Sequence, residues 1–328
     1  MTGLELTRLV ECVPNVSEGR RPEVVGQIVA AFAGAAPEVL VLDASSDPDH
    51  HRSVITLMGP GPALVEAAVA GAEACARLID LNHHRGVHPR MGALDVLPFV
   101  PFGAETRLRG GDDPDLDCVA LTERAGRRIA EEVGIPVYLY GAAARHPGWA
   151  ALPAVRGRGF EALRDALAAG DLHRAPDFGG PGLHPTAGAT AAGAREILIA
   201  YNVELAGVDL ELARRIATAV RERDGGLPAV RAMGVPLARR GSPPENRVQV
   251  SMNLLDYRVT PPAAAYAAVA ALAERAGARV QASEVVGLVP AAALDGVDPA
   301  DLRLRGFTPD LLLEERLLQA LTTKEPPR

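Results

Sequence analysis

"RLVECVPNVSEGRRPEVVGQIVAAFAGAAPEVLVLDASS" (residues 8–46) changes period twice. The valine-rich run 8–17 ends in a Pro-Asn turn signal and predicts a strand. Pro22 suits a first helical turn, and Val24, Val25, Ile28, Val29 and Phe32 recur at helical spacing, so 22–36 predicts a helix. The period then returns to that of strands in "EVLVLDASS" (38–46) and in "RSVITLMG" (52–59), with the polar loop "DPDHH" between them. Working outward, 62–79 reads as an Ala-rich helix, 94–101 as a strand, 115–134 as a helix and 135–140 as a strand. The second half repeats the pattern in different residues: strand 195–205, helix 209–222, strands 229–238 and 246–255, helix 261–277, strand 278–290. An α/β (α+β) fold follows, with two consecutive split-βαβ (β-α-β-β-α-β) subdomains whose sheets are covered by helices. The Gly-, Pro- and Ala-rich segment 176–195 reads as a linker or binding loop, which divides the chain into 1–178 and 179–328.

Composition narrows the functional classes. The 328 residues are 48% hydrophobic and 23% charged, near the average for folded soluble domains. Aromatics make up 4%, so aliphatic residues must build the core. No apolar run reaches the roughly 20 residues of a membrane span. The N-terminus lacks the basic-then-apolar order of a secretion signal. Cys12, Cys75 and Cys118 are odd in number and widely spaced, which argues against a disulfide framework and suggests small core residues in a cytoplasmic protein. A net charge of −7 argues against general nucleic-acid binding.

Against that acidic background, "LNHHRGVHPRMGALDVLPF" (81–99) carries three histidines and two arginines, and between Asp80 and Asp95 there is no carboxylate. Three chemistries compete for this loop. His83, His84 and His88, with His50, Asp47 and Asp49, could ligate a metal, but Gly86 and Pro89 interrupt the helix that would align them, and Arg85 and Arg90 repel a dication. Anion binding fits better, because Arg85 and Arg90 each present a planar fork to a carboxylate and Gly86 and Gly92 let backbone amides approach a ligand. Arg20, Arg21 and Arg52 lie at strand ends or turns that could face the same site. A second acid-free stretch, Phe178 to Arg195, is glycine-rich. Acid–base catalysis needs a group titrating near neutrality, and His88, between Gly86 and Pro89, is the best placed. G-x-S-x-G, P-loop, CxxC and G-x-G-x-x-G motifs are all missing from the chain.

Several strings resemble the glutamate formimidoyltransferase family: "VECVPNVSEGR" (10–20), "HPRMGALDVLPFVP" (88–101), "PVYLYGAAA" (136–144), "PDFG" (176–179), "GATAAGAREILIAYNVEL" (188–205), "VQVSMNLLDY" (248–257) and "EVVGLVP" (284–290). They fall in the family's order and cover nearly the whole chain. The resemblance implies transfer of a formimino group from N-formimino-L-glutamate to N5 of tetrahydrofolate, the co-substrate, in histidine degradation. It implies no metal, a stand-alone transferase without a cyclodeaminase domain, two subdomains with a substrate tunnel between them, and a homodimer. No nucleic-acid or membrane partner is expected, and the folate could be polyglutamylated.

Carried over position by position, the family's catalytic histidine is His88. Its folate-binding loop is Gly179, Gly180, Pro181, Gly182, Leu183, His184, Pro185, Thr186, Ala187 and Gly188. The family's assisting acidic residue aligns with Ser45, which leaves Asp43, Asp47 and Asp49 as candidates for that role. Arg52, Arg85 and Arg90 are the expected binders of the substrates' carboxylates. A metal-dependent formiminoglutamate hydrolase and a non-catalytic folate-binding protein are the competing readings.

Overall fold

The computed structural model describes residues 5–48, 50–86, 89–237 and 247–322. These form two compact units, one running to Arg195 and taking in the chain from Ala320 onward, the other Glu196–Gln319. Among the described residues there are two sheets and eight α-helices.

In the first unit, β1 (Leu9–Cys12) and β2 (Asn15–Val16) are followed by α1 (Pro22–Gly34), β3 (Leu40–Asp47), β4 (Arg52–Pro60), α2 (Gly61–Leu78) and β5 (Leu94–Pro101). The expected first strand is thus split at Val13-Pro14, since proline cannot donate to the ladder; β1 and β2 both lie between β4 and β5. The order β5–(β1, β2)–β4–β3 is antiparallel throughout. α1 buries Val24, Val25, Ile28 and Phe32, the face its spacing foretold. Phe32 lies directly over Gly71 of α2, where a Cβ would come 2.1 Å from its ring. That close approach explains a glycine inside a helix and buries an aromatic ring worth roughly 2–3 kcal/mol.

The chain continues through α3 (Cys118–Arg128), β6 (Val137–Gly141), α4 (Leu152–Arg156), α5 (Phe160–Ala168) and β7 (Thr190–Ala194). Asp117 caps α3 by accepting the amides of Val119 and Ala120. β7 corrects the linker reading of 176–195. It pairs in parallel with β5 and β6 and is buried along its whole length. Its sequence, Thr-Ala-Ala-Gly-Ala, lacks the β-branched pattern of a strand because it is packed too tightly for one: a Cβ on Gly193 would meet the Tyr140 ring at 2.4 Å. For the same reason the division falls after Arg195, not after Phe178.

The second unit holds β8 (Ile199–Ala206), α6 (Leu210–Val220), β9 (Val230–Pro236), β10 (Val248–Leu254), α7 (Pro262–Arg275) and β11 (Arg279–Val286). Its antiparallel order, β11–β8–β10–β9, matches that of the first unit before β6 and β7 are added at the β5 edge. A last helix, α8 (Leu313–Thr322), follows. Cys12, Cys75 and Cys118 are free and buried. Among the described residues, no helix is long and apolar enough to cross a membrane.

Candidate active site

Four segments of the first unit meet at one end of its sheet: the turn before α1, the β3–β4 turn, the loop before β5 and the loop before β7. Glycines mark the contacts. A Cβ on Gly19 would lie 2.4 Å from the Asp47 carbonyl oxygen, and one on Gly86 would lie 2.5 Å from that of His50.

Glu18 anchors the first segment. Its Oε1 accepts the amides of Gly19, Arg20 and Arg21 at 3.0, 2.8 and 3.1 Å, and its Oε2 accepts Arg21 Nε at 2.7 Å. Burial would raise this carboxyl, but the Arg20 and Arg21 amides and the Arg21 guanidinium outweigh it and hold Glu18 at about 2. His51 Nε2 lies 3.1 Å from the same Oε1, and His51 Nδ1 lies 3.0 Å from the Arg85 carbonyl. The His51 ring therefore bridges the turn before α1 to the basic loop, from a backbone with φ of +52°. It stacks on His84 with 4.1 Å between ring centroids. His84 Nε2 is 2.9 Å from the His51 carbonyl, while its Nδ1 is buried without a hydrogen-bond partner. Burial pushes His84 down to about 4, so it stacks as a neutral ring.

Asp95, at the start of β5, anchors the other end of the basic loop. Its Oδ1 accepts the Met91 amide at 2.7 Å and the Gly92 amide at 3.3 Å. Its Oδ2 receives Arg52 Nη1 at 2.6 Å and Arg156 Nη2 at 2.7 Å. Burial opposes the ionised form, but Arg156 and Arg52 dominate and keep the Asp95 carboxyl well below the usual range. Arg52 also donates from Nε to Asn15 Oδ1 at 3.1 Å.

The remaining expected residues take varied places. His88 and Val87 lie outside the described residues, as does Asp49. Asp43 stands on β3 opposite Thr56. Asp47 ends that strand and accepts the His50 amide, with the His50 ring Nδ1 at 2.8 Å. Asp47 lies four residue steps along the strand from Asp43, roughly 13 Å. Arg85 turns back onto the carbonyls of Asn82 and His84 at 3.1 and 2.8 Å. Arg90 makes a two-pronged pair with Glu161, at 3.0 and 2.8 Å, and reaches the Leu81 carbonyl. The Arg90 hydrogen bonds hold Glu161 at about 2, against a smaller effect of burial.

In the glycine-rich loop, Gly179, Gly180, Pro181 and Gly182 are exposed and Leu183 is half-buried. His184 and Gly188 close a tight turn with two backbone bonds, 2.9 and 3.0 Å long, and His184 Nδ1 accepts the Ala187 amide at 3.0 Å. This turn is zipped to the basic loop: Leu81 donates to Thr186, Ala93 to Ala187 and Ala189 to Met91, and Asn82 Nδ2 reaches Pro185. Gly188 has φ of +70°, and a Cβ there would meet the Met91 oxygen at 2.3 Å. Ala187 is fully buried and packs the core. The two acid-free stretches thus form one surface. Sequence reasoning missed Glu18, His51, Asp95, Arg156 and Glu161 as parts of this site. For Asp95, the four-residue spacing from Met91 was a usable signal, since a carboxylate there caps the turn it follows; Arg156 left none.

Comparison with known families agrees with this architecture. The "Formiminotransferase domain, N-terminal subdomain" matches residues 9–195, and the "Formiminotransferase domain" matches residues 200–302. The chain belongs to the formiminotransferase family. The boundary between its two domains falls where the structure divides into units. Glutamate formimidoyltransferase of Thermoplasma acidophilum is 44% identical over 95% of this chain and 98% of its own length. That of Streptococcus pyogenes serotype M1 is 38% identical over 92% and 96%. The formimidoyltransferase-cyclodeaminase of Sus scrofa is 42% identical, and the match covers 88% of this chain but 51% of the pig protein.

Proposed function

We infer that this member of the family is a glutamate formimidoyltransferase. It moves the formimino group of N-formimino-L-glutamate to N5 of tetrahydrofolate, giving 5-formiminotetrahydrofolate and L-glutamate, in histidine degradation. The observation that carries the reading is the near-full-length likeness to two proteins of that name.

In this reaction N5 attacks the amidine carbon and a tetrahedral intermediate forms. N5 loses a proton, and the departing glutamate nitrogen gains one. We assign both transfers to His88, because an imidazole is the side chain suited to general acid–base work near neutral pH. The anchors on either side of it support the assignment. His51 and Glu18 fix the backbone at Arg85, and Glu161 and Asp95 fix Arg90 to Gly92, which leaves a short span whose ends are held. Asp43 and Asp47 are the candidates to stabilise the cationic formimino group, and residues 179–188 to hold the folate. Holding both substrates in place supplies a further advantage, with effective molarities of about 10⁵ M attainable. Among the described residues no group of three metal-ligating side chains is arranged to hold an ion. Buried free cysteines favour a cytoplasmic setting, and homodimerisation follows the family resemblance; light scattering at the mass of one chain would refute it.

Purified protein given both substrates should form 5-formiminotetrahydrofolate at an undiminished rate in EDTA. His88→Ala should lower kcat by about 10²–10⁴-fold. Turnover without folate would replace this reading with a hydrolase, and folate affinity without turnover would replace it with a binding protein.

A further inference from the structure

The charge count around Asp95 does not balance. One carboxylate, fully buried, faces two guanidiniums whose side chains are only 11% and 10% exposed. Asp95 Oδ1 is already occupied by backbone amides, so both arginines converge on Oδ2. The hydrogen bonds of Arg52 use Nε and Nη1, and that of Arg156 uses Nη2. Arg156 Nε is buried and has no hydrogen-bond partner. Arg52 Nη2 and Arg156 Nη1 donate to no protein group among the described residues and, unlike Arg156 Nε, are not sealed from solvent. Tyr140, also buried, lies beside Arg195, to which it is hydrogen-bonded, and close enough to Arg52 and Arg156 to share their field. A buried excess cation with donors to spare is a setting that an anion completes, and a planar fork beside a fixed carboxylate suits a second carboxylate.

We propose that Arg52 and Arg156 form a carboxylate-binding site, with Asp95 as the brace that aligns both guanidiniums and ties them to the loop at Met91 and Gly92. On the function inferred above, the carboxylate belongs either to the formiminoglutamate donor or to the glutamate tail of the folate. Because the brace sits at the end of the loop that carries His88, a donor held there by its carboxylate places its other end beside that loop.

The test uses the full chain, with glutarate as a folate-free probe. Calorimetric titration of the wild-type protein should show glutarate binding, and glutarate should inhibit transfer in competition with one substrate only. Competition with formiminoglutamate assigns the site to the donor; competition with tetrahydrofolate assigns it to the folate tail, in which case pteroate lacking the glutamate should not compete with glutarate. Arg156→Met keeps Asp95 paired with Arg52 and should weaken glutarate binding, and raise the matching KM, by about tenfold or more. Arg156→Lys should fall between, since it restores charge without the fork. Arg215→Met, on the exposed face of α6, serves as the control. Absence of glutarate binding by the wild type, or unchanged binding and KM in a folded Arg156→Met, overturns the site. If Arg156→Met does not fold, the wild-type competition pattern still decides. If the protein binds glutarate through Arg156 but transfers no formimino group, the site stands and the inferred function fails.

Discussion

Each unit buries one carboxylate between two arginines, and the two clusters differ in where the surplus positive charge resides. In the second unit Glu204, on β8, pairs with Arg247 through one oxygen and with Arg305 through the other at 2.9 Å. Those arginine side chains are 28% and 53% exposed, so water and salt screen the second charge at little cost. Glu284 lines the same pocket as Glu204, whereas the two arginines on Asp95 are nearly dry, and there the surplus calls for a ligand. Exposure, more than residue identity, separates a structural clamp from a binding site. The surrounding scaffold explains the difference: β6, β7, α4 and α5 extend the first unit at its β5 edge, and α4 delivers Arg156, whereas the second unit lacks such an extension among the described residues.

Removing each carboxylate distinguishes the two clusters most directly. Asp95→Ala strands two guanidiniums and releases the Met91 and Gly92 amides, and should cost about 3–5 kcal/mol in chemical denaturation. Glu204→Ala should cost about 1–2 kcal/mol, because Arg247 and Arg305 can turn to water. Equal losses would show that exposure is not the deciding variable.

Acid should sharpen the contrast. The folded-state value of Glu18, about 2, lies below that of an unfolded glutamate. The stability it contributes is present above about pH 4.3 and is lost as the pH falls from there through 2. After allowance for solvent screening the effect is on the order of 1–2 kcal/mol, and Glu18→Gln should flatten that part of the stability–pH curve. His84 acts at higher pH. Its folded value is depressed to about 4, so it contributes stability above about pH 6.5 that is lost as pH falls through 4; His84→Gln should remove that slope. The one tryptophan, Trp149, lies in the first unit, so its fluorescence should report both transitions there. The smallest effect belongs to Arg305→Ala, at most about 1 kcal/mol, as for other exposed pairs.

Much of the scaffold was legible in the chain. Pro22 and Pro262 open helices where expected, and Val24, Ile28 and Phe32 face the core their spacing implied. The acid-free loops were recognisable as special, and their union was not. The forks of Arg90 and Arg52 are legible in the chain as anion binders, but not their partners: Glu161 engages Arg90, and Asp95 joins Arg52 to Arg156, which carries no sequence signal.

The two β-α-β-β-α-β units and the concentration of positive charge in residues 81–92 are written in the local pattern of the chain. Those properties follow from neighbours two to four positions apart, the range over which strand and helix periods act. Only the tertiary structure decided that β7 is a strand, that the units part after Arg195, and that Asp95 gathers Arg52 from 43 positions away and Arg156 from 61. Strand partners and buried ion pairs are set by which surfaces exclude water together, and that is a property of the folded chain.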